Sequence, residues 1–155
     1  MTWSPDSSIT GGDQTGLTSP TYTVVDDVAP ENNGKQKVVS ALGGTQTNVR
    51  THTTSDPFRW NFTKPKTPKA LPTANPVTGI VPSVPKNTYG LLLHKGVKVN
   101  AAGQLSVMNI RLTIDVPAGA EAADAVNIRA AISLLVGLLN EESADLGDTL
   151  VLGVL

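Results

Sequence analysis

Residues 105–116 read as a strand, and from Met108 to Val116 they alternate without a break. Met108, Ile110, Leu112, Ile114 and Val116 fall on one side, and Asn109, Arg111, Thr113 and Asp115 on the other. A period of two is that of a β-strand, and an apolar row opposed by a polar row requires a sheet with one buried face and one free face. Residues 58–64 repeat the pattern, with Phe58, Trp60 and Phe62 against Arg59, Asn61 and Thr63. Residues 45–54 do so more weakly, with Val49 opposed by Asn48, Arg50, His52 and Thr54.

The remaining chain is organised around these strands. Residues 1–20, rich in Ser, Thr, Gly and Pro, read as a polar arm with little core of its own. Residues 21–28 and 36–42 are β-prone and joined by a loop containing Asn33-Gly34, a hairpin signal. Gly43-Gly44 is expected to turn the chain into a third strand, 45–54, and Ser55-Asp56-Pro57 into a fourth. Six prolines in residues 65–87 remove ladder donors and predict a long extended loop. Strands resume at 89–94 and 97–100, and an Ala-Ala-Gly turn leads into 105–116. Residues 121–140 then change to helical spacing, with Ala125, Ile128, Ile132, Leu135 and Leu139 on one stripe. Ser143 is placed to cap a shorter second helix. The expected fold is α+β: an antiparallel sheet of about six strands followed by two C-terminal helices, with 21–155 as one domain and 119–155 as its helical region.

The sheet's free face carries the functional argument. Asn48, Arg50, His52, Arg59, Asn61, Thr63, Asn109 and Arg111 are expected to share it, interrupted only by Asp115. The net charge of −1 hides a segregation. Residues 1–27 sum to −4, residues 28–111 to +9 and residues 112–155 to −6. A basic middle segment suits a polyanion. Arg donates two parallel hydrogen bonds to phosphate or a base edge, and Asn offers both donor and acceptor. An ordinary solvated sheet face accounts for the same pattern.

The first helix is apolar almost all round, through Ala130, Ala131, Ile132, Leu134, Leu135, Val136, Leu138 and Leu139. Such a helix must be buried on more than one side, and one small sheet covers only one. A second copy of the chain is the simplest source of the other surface, with Ile128, Ile132, Leu135, Leu138 and Leu139 as the expected interface.

Parts for catalysis are missing. There is no Cys, the only histidines are His52 and His94, and no HExxH, nucleophile elbow or phosphate loop occurs. The reading is therefore not an enzyme, with no cofactor, metal or small-molecule substrate. No basic-then-apolar leader opens the chain, and its longest apolar run is too short to span a bilayer, so no membrane role is expected.

Val107-Met-Asn-Ile-Arg-Leu-Thr-Ile-Asp-Val-Pro117 resembles the last strand of the coat proteins of single-stranded RNA bacteriophages, in which alternate polar residues, an Asn among them, face RNA. Gly137-Leu138-Leu139 resembles the close of that family's first helix. Ala144-Asp-Leu-Gly-Asp-Thr-Leu-Val-Leu-Gly153 resembles its second helix and tail, and residues 50–66 its middle strand pair. The resemblance covers roughly residues 21–66 and 89–155. It implies a homodimer with one continuous sheet, each subunit's helices reaching across the other. It also implies an icosahedral shell around genomic RNA, assembled in the bacterial host cytoplasm. In several members a dimer binds an RNA hairpin and represses replicase translation. Carried over by position, the eight polar residues named above become the RNA-contacting set. The Pro-rich span exceeds the family's usual loop, which makes it a candidate for contacts between dimers. The competing expectation is a monomeric β-rich extracellular or periplasmic module that binds carbohydrate or protein.

Overall fold

The computed structural model describes residues 3–154. Six antiparallel strands form one sheet in sequence order: β1 Ser8–Thr10, β2 Thr18–Asp27, β3 Gly34–Thr45, β4 Phe58–Thr63, β5 Lys86–Lys98 and β6 Leu105–Pro117. Helices α1 Ala120–Ala123, α2 Ala125–Glu141 and α3 Ser143–Leu152 follow. β5 and β6 pair from Lys86↔Pro117 to Lys98↔Leu105, so the strand pair that leads into the helices is also the longest ladder. Among the described residues no helix is long and apolar enough to cross a membrane.

Four local expectations are corrected. First, residues 45–54 do not form a strand. β3 instead runs through Gly43, paired with Thr21, and Gly44, whose φ of +71° no side chain adopts easily. The chain turns at Gln46–Asn48, with Asn48 at φ +65° and the Val49 amide donating to the Gln46 carbonyl at 3.3 Å. Residues 46–57 then form a loop whose polar groups satisfy backbone partners a ladder would otherwise supply. The Asp56 amide donates to Thr53 Oγ1, the Phe58 amide to His52 Nδ1, and the His52 amide to the Val39 carbonyl.

Second, the segments 89–94 and 97–100 are one strand. Gly96 marks a close approach, not a break, because a Cβ there would lie 2.1 Å from Asp56 Oδ1. Third, the arm joins the sheet, since β1 pairs with β2 from Ser8↔Thr23 to Thr10↔Thr21. Trp3 stacks on Phe62 at 5.0 Å and meets Trp60 edge-on at 6.0 Å. Fourth, the first helix breaks at Asp124 (φ −147°), whose carboxylate accepts from Asn127 Nδ2. Ser143 does not cap α3; its Oγ and carbonyl oxygen accept from Gln14 Nε2 at 2.7 and 2.6 Å.

The core of a single chain is thin. Val24, Val39, Trp60, Ala118 and Pro20 are buried, but no residue of any helix is. Leu134 is 73% exposed, Leu150 71% and Ile110, on the apolar side of β6, 50%. The chain exposes 10883 Å², whereas a compact monomer of this mass would expose about 7,400 Å². Roughly 3,500 Å² of surplus is on the scale of an obligate subunit interface.

Candidate nucleic-acid interface

Register assembles the polar face of the sheet row by row. Arg59 of β4 lies opposite His94 of β5, which lies opposite Asn109 of β6. The next row is Asn61, Leu92 and Arg111, and the next Thr63, Gly90 and Thr113. On β3, Val38 and Gln36 extend the first two rows, and Asp27 of β2 closes the second. The β6 members Asn109, Arg111 and Thr113 are exposed, while Arg59, Asn61, Thr63 and His94 are half-buried. Five of the eight sequence-derived residues, Arg59, Asn61, Thr63, Asn109 and Arg111, thus share one face.

The other three do not stand on a strand. Asn48 occupies the left-handed position of an exposed turn. Arg50 donates through Nε to the Asp56 carboxylate and through Nη2 to the Gly96 carbonyl at 3.0 Å. Its guanidinium therefore holds the 46–57 loop against β5 rather than presenting a fork to solvent. Asp56, only 8% exposed at its side chain, also lies 3.7 Å from Lys95 Nζ. The Arg50 hydrogen bond, assisted by Lys95, holds the Asp56 carboxyl below the usual carboxylate range despite its burial. Burial in turn pushes the Lys95 ammonium down, against the pull of Asp56. His52 returns to the neighbourhood of the face, where its Nδ1 accepts the Phe58 amide, and the charge of Arg59 acts on the Asp27 carboxyl. That carboxyl is held low first by the Gln36 hydrogen bond, at 2.6 Å, and then by the Val28 amide.

Three members of the face were not singled out by alternation. Gln36, Leu92 and His94 join Pro30, Arg59 and Asn61 around a shallow recess of about 110 Å³. Their signal lay in pairing, because a strand's partner decides which row it extends. Asp27 is an acid on the face in addition to Asp115, which accepts from Thr88 Oγ1. The face remains basic at its centre, where Arg59 and Arg111 flank His94 and no ion pair engages either arginine among the described residues.

The interface residues expected on the helices are divided. Ile128, Ile132 and Leu135 are half-buried, whereas Leu138 is 54% and Leu139 46% exposed. The far end of the helical pair is tied to the loop between β1 and β2, through Gln14 to Ser143 and Thr15 Oγ1 to Asp148 at 2.9 Å. On the apolar side of the sheet, Ile9, Tyr22, Val24, Val39, Phe58, Trp60 and Leu93 line a further recess of about 270 Å³.

A six-stranded antiparallel sheet with one polar face, followed by exposed apolar helices, defines a subunit built to be completed by others. No family model matches the chain, and no curated protein does. Among solved structures, the virus-like particle of bacteriophage ESE020 is 47% identical, with a TM-score of 0.95, and the match covers 99% of this chain and 100% of that one. The virus-like particle of bacteriophage GQ-907 is much more distant, at 17% identity and a TM-score of 0.47 over 99% and 92% of the two chains. The chain belongs to the bacteriophage coat-protein family.

Proposed function

We propose that this coat protein pairs with a second copy of itself, assembles into a closed shell and holds single-stranded RNA on the polar face of its sheet. The observation that carries the RNA reading is the register cluster Arg59–His94–Asn109 beside Asn61–Leu92–Arg111, an open face with two arginines free of ion pairs. Phosphate contacts from such arginines supply sequence-independent affinity, and the asparagines are suited to reading bases. An RNA hairpin that represses replicase translation would use the same face. The structural role implies residence in the virion after assembly in the host cytoplasm.

Pairing is supported by the surplus surface and by the unburied Leu and Val side chains of α2 and α3. Ile128, Ile132, Leu135, Leu138 and Leu139 would be covered by the partner. Between dimers, the Pro-rich loop is the candidate contact. The Asn75 amide donates to the Ile80 carbonyl and the Gly79 amide to the Asn75 carbonyl, closing a tip that presents Val77 (91% exposed) and Ile80 (65%). The alternative, a monomeric binding module, does not account for the surplus surface or the full-length likeness to a shell subunit.

Electron microscopy of the protein expressed in bacteria, with extraction of nucleic acid from the purified particles, tests this reading. Uniform round shells containing RNA are expected. A lone 16 kDa species at high concentration would refute the assembly reading, and shells that exclude RNA would refute the face assignment.

A further inference from the structure

Resting on the reading of the polar face as an RNA surface, we infer that RNA binding there is coupled to the uptake of a proton by His94. The ring lies on the central strand of the cluster, half-buried in the recess lined by Pro30, Gln36, Arg59, Asn61 and Leu92. Arg59 faces it from β4, and Asn109 faces it from β6 with Arg111 two residue pairs away, in the next row of the same face. On its own strand the next charge, Lys95, is turned to the opposite face, over the Phe58 ring. The nearest acids of the face are engaged elsewhere, Asp27 with Gln36 and Asp115 with Thr88. His52, the other imidazole of this region, uses Nδ1 to accept the Phe58 amide. Among the described residues the His94 ring makes no side-chain hydrogen bond of its own.

In free protein this setting opposes the imidazolium. Burial, and then the charges of Arg59 and Arg111, hold His94 below its ordinary value. A phosphodiester bound between those arginines reverses the balance. It offsets the two positive charges and offers an acceptor to the protonated ring. The pKa of His94 is therefore higher in the complex than in the free protein, and binding takes up a proton. By linkage, affinity rises as pH falls through the value of the complex and levels off below that of the free protein, with a limit of about tenfold per pH unit for one proton.

The test uses full-length protein freed of host nucleic acid and a labelled oligouridylate with hydroxyl ends. Its bases and phosphodiesters do not take up protons between about pH 8 and about pH 5.5, the range in which imidazoles titrate. Wild-type affinity should increase severalfold as pH falls across that range. His94→Gln should bind with a flat profile, while His52→Asn, which retains an acceptor for the Phe58 amide, should keep the slope. As a measurement independent of any variant, the ring-proton NMR titration of His94 should move to higher pH when the oligonucleotide is added. A flat wild-type profile with binding intact, a slope that survives in His94→Gln, or an unmoved titration would each overturn the proton coupling. Absence of oligouridylate binding at every pH would instead overturn the RNA reading on which it rests.

Discussion

Replacing Arg59 and Arg111 together by alanine separates an RNA-binding face from an ordinary solvated one. The two side chains occupy adjacent rows of the same face, and neither forms an ion pair among the described residues, so their loss leaves no buried charge behind. Each phosphate contact to a single strand contributes about 0.7 to the slope of log affinity against log salt, so two lost contacts lower the slope by about 1.4. Between about 50 and about 200 mM salt, the ratio of wild-type to variant affinity should therefore shrink about sevenfold. Fluorescence anisotropy of a labelled single-stranded RNA across a potassium chloride series measures this directly. Arg129→Ala, on α2 and outside the sheet, serves as the control and should retain the wild-type slope. Circular dichroism should show both variants folded. If the double variant keeps both its affinity and its salt slope, the face does not contact phosphate and the assignment fails.

Asp56→Ala should destabilise the fold by about 3 kcal/mol, the lower end for breaking a buried pair because Arg50 is 35% exposed at its side chain. Urea unfolding checks it. Because the Asp56 carboxyl is held below its usual value, its stabilisation is complete above the unfolded value of about 3.9 and is lost as pH falls through the lower folded one. The deficit of the variant should accordingly shrink in strong acid. Leu135→Asp should abolish pairing, seen as a monomer by analytical ultracentrifugation; normally assembled particles would contradict the helix interface. Val77→Asp combined with Ile80→Asp should leave dimers intact but stop shell formation in electron micrographs, and wild-type shells from this variant would remove the loop from the assembly contacts.

Much of the architecture was legible locally. The alternation in β6 and β4 and the helical spacing after Pro117 are properties of consecutive residues, and they correctly indicate an antiparallel sheet followed by helices. The same alternation places Arg59, Asn61, Thr63, Asn109 and Arg111 on one side, because a one-residue step always changes the face of a strand. It fails at residues 45–54. A period of two states which way side chains would point in a strand, but not whether a strand forms. There Thr53 Oγ1 and His52 Nδ1 take up backbone amides, and a loop results.

The basic sheet face and the apolar helices were therefore determined by the sequence itself, since both follow from local periodicity and side-chain chemistry. The tertiary structure alone decided which cations are free on that face. Arg50 is withdrawn because Asp56 and the carbonyl of Gly96, a residue 46 positions further along, converge on its guanidinium. His94 is drawn in because β5 is the strand between Arg59 and Asn109. Both outcomes depend on contacts between residues distant in the chain, and a pattern read along consecutive positions does not contain them.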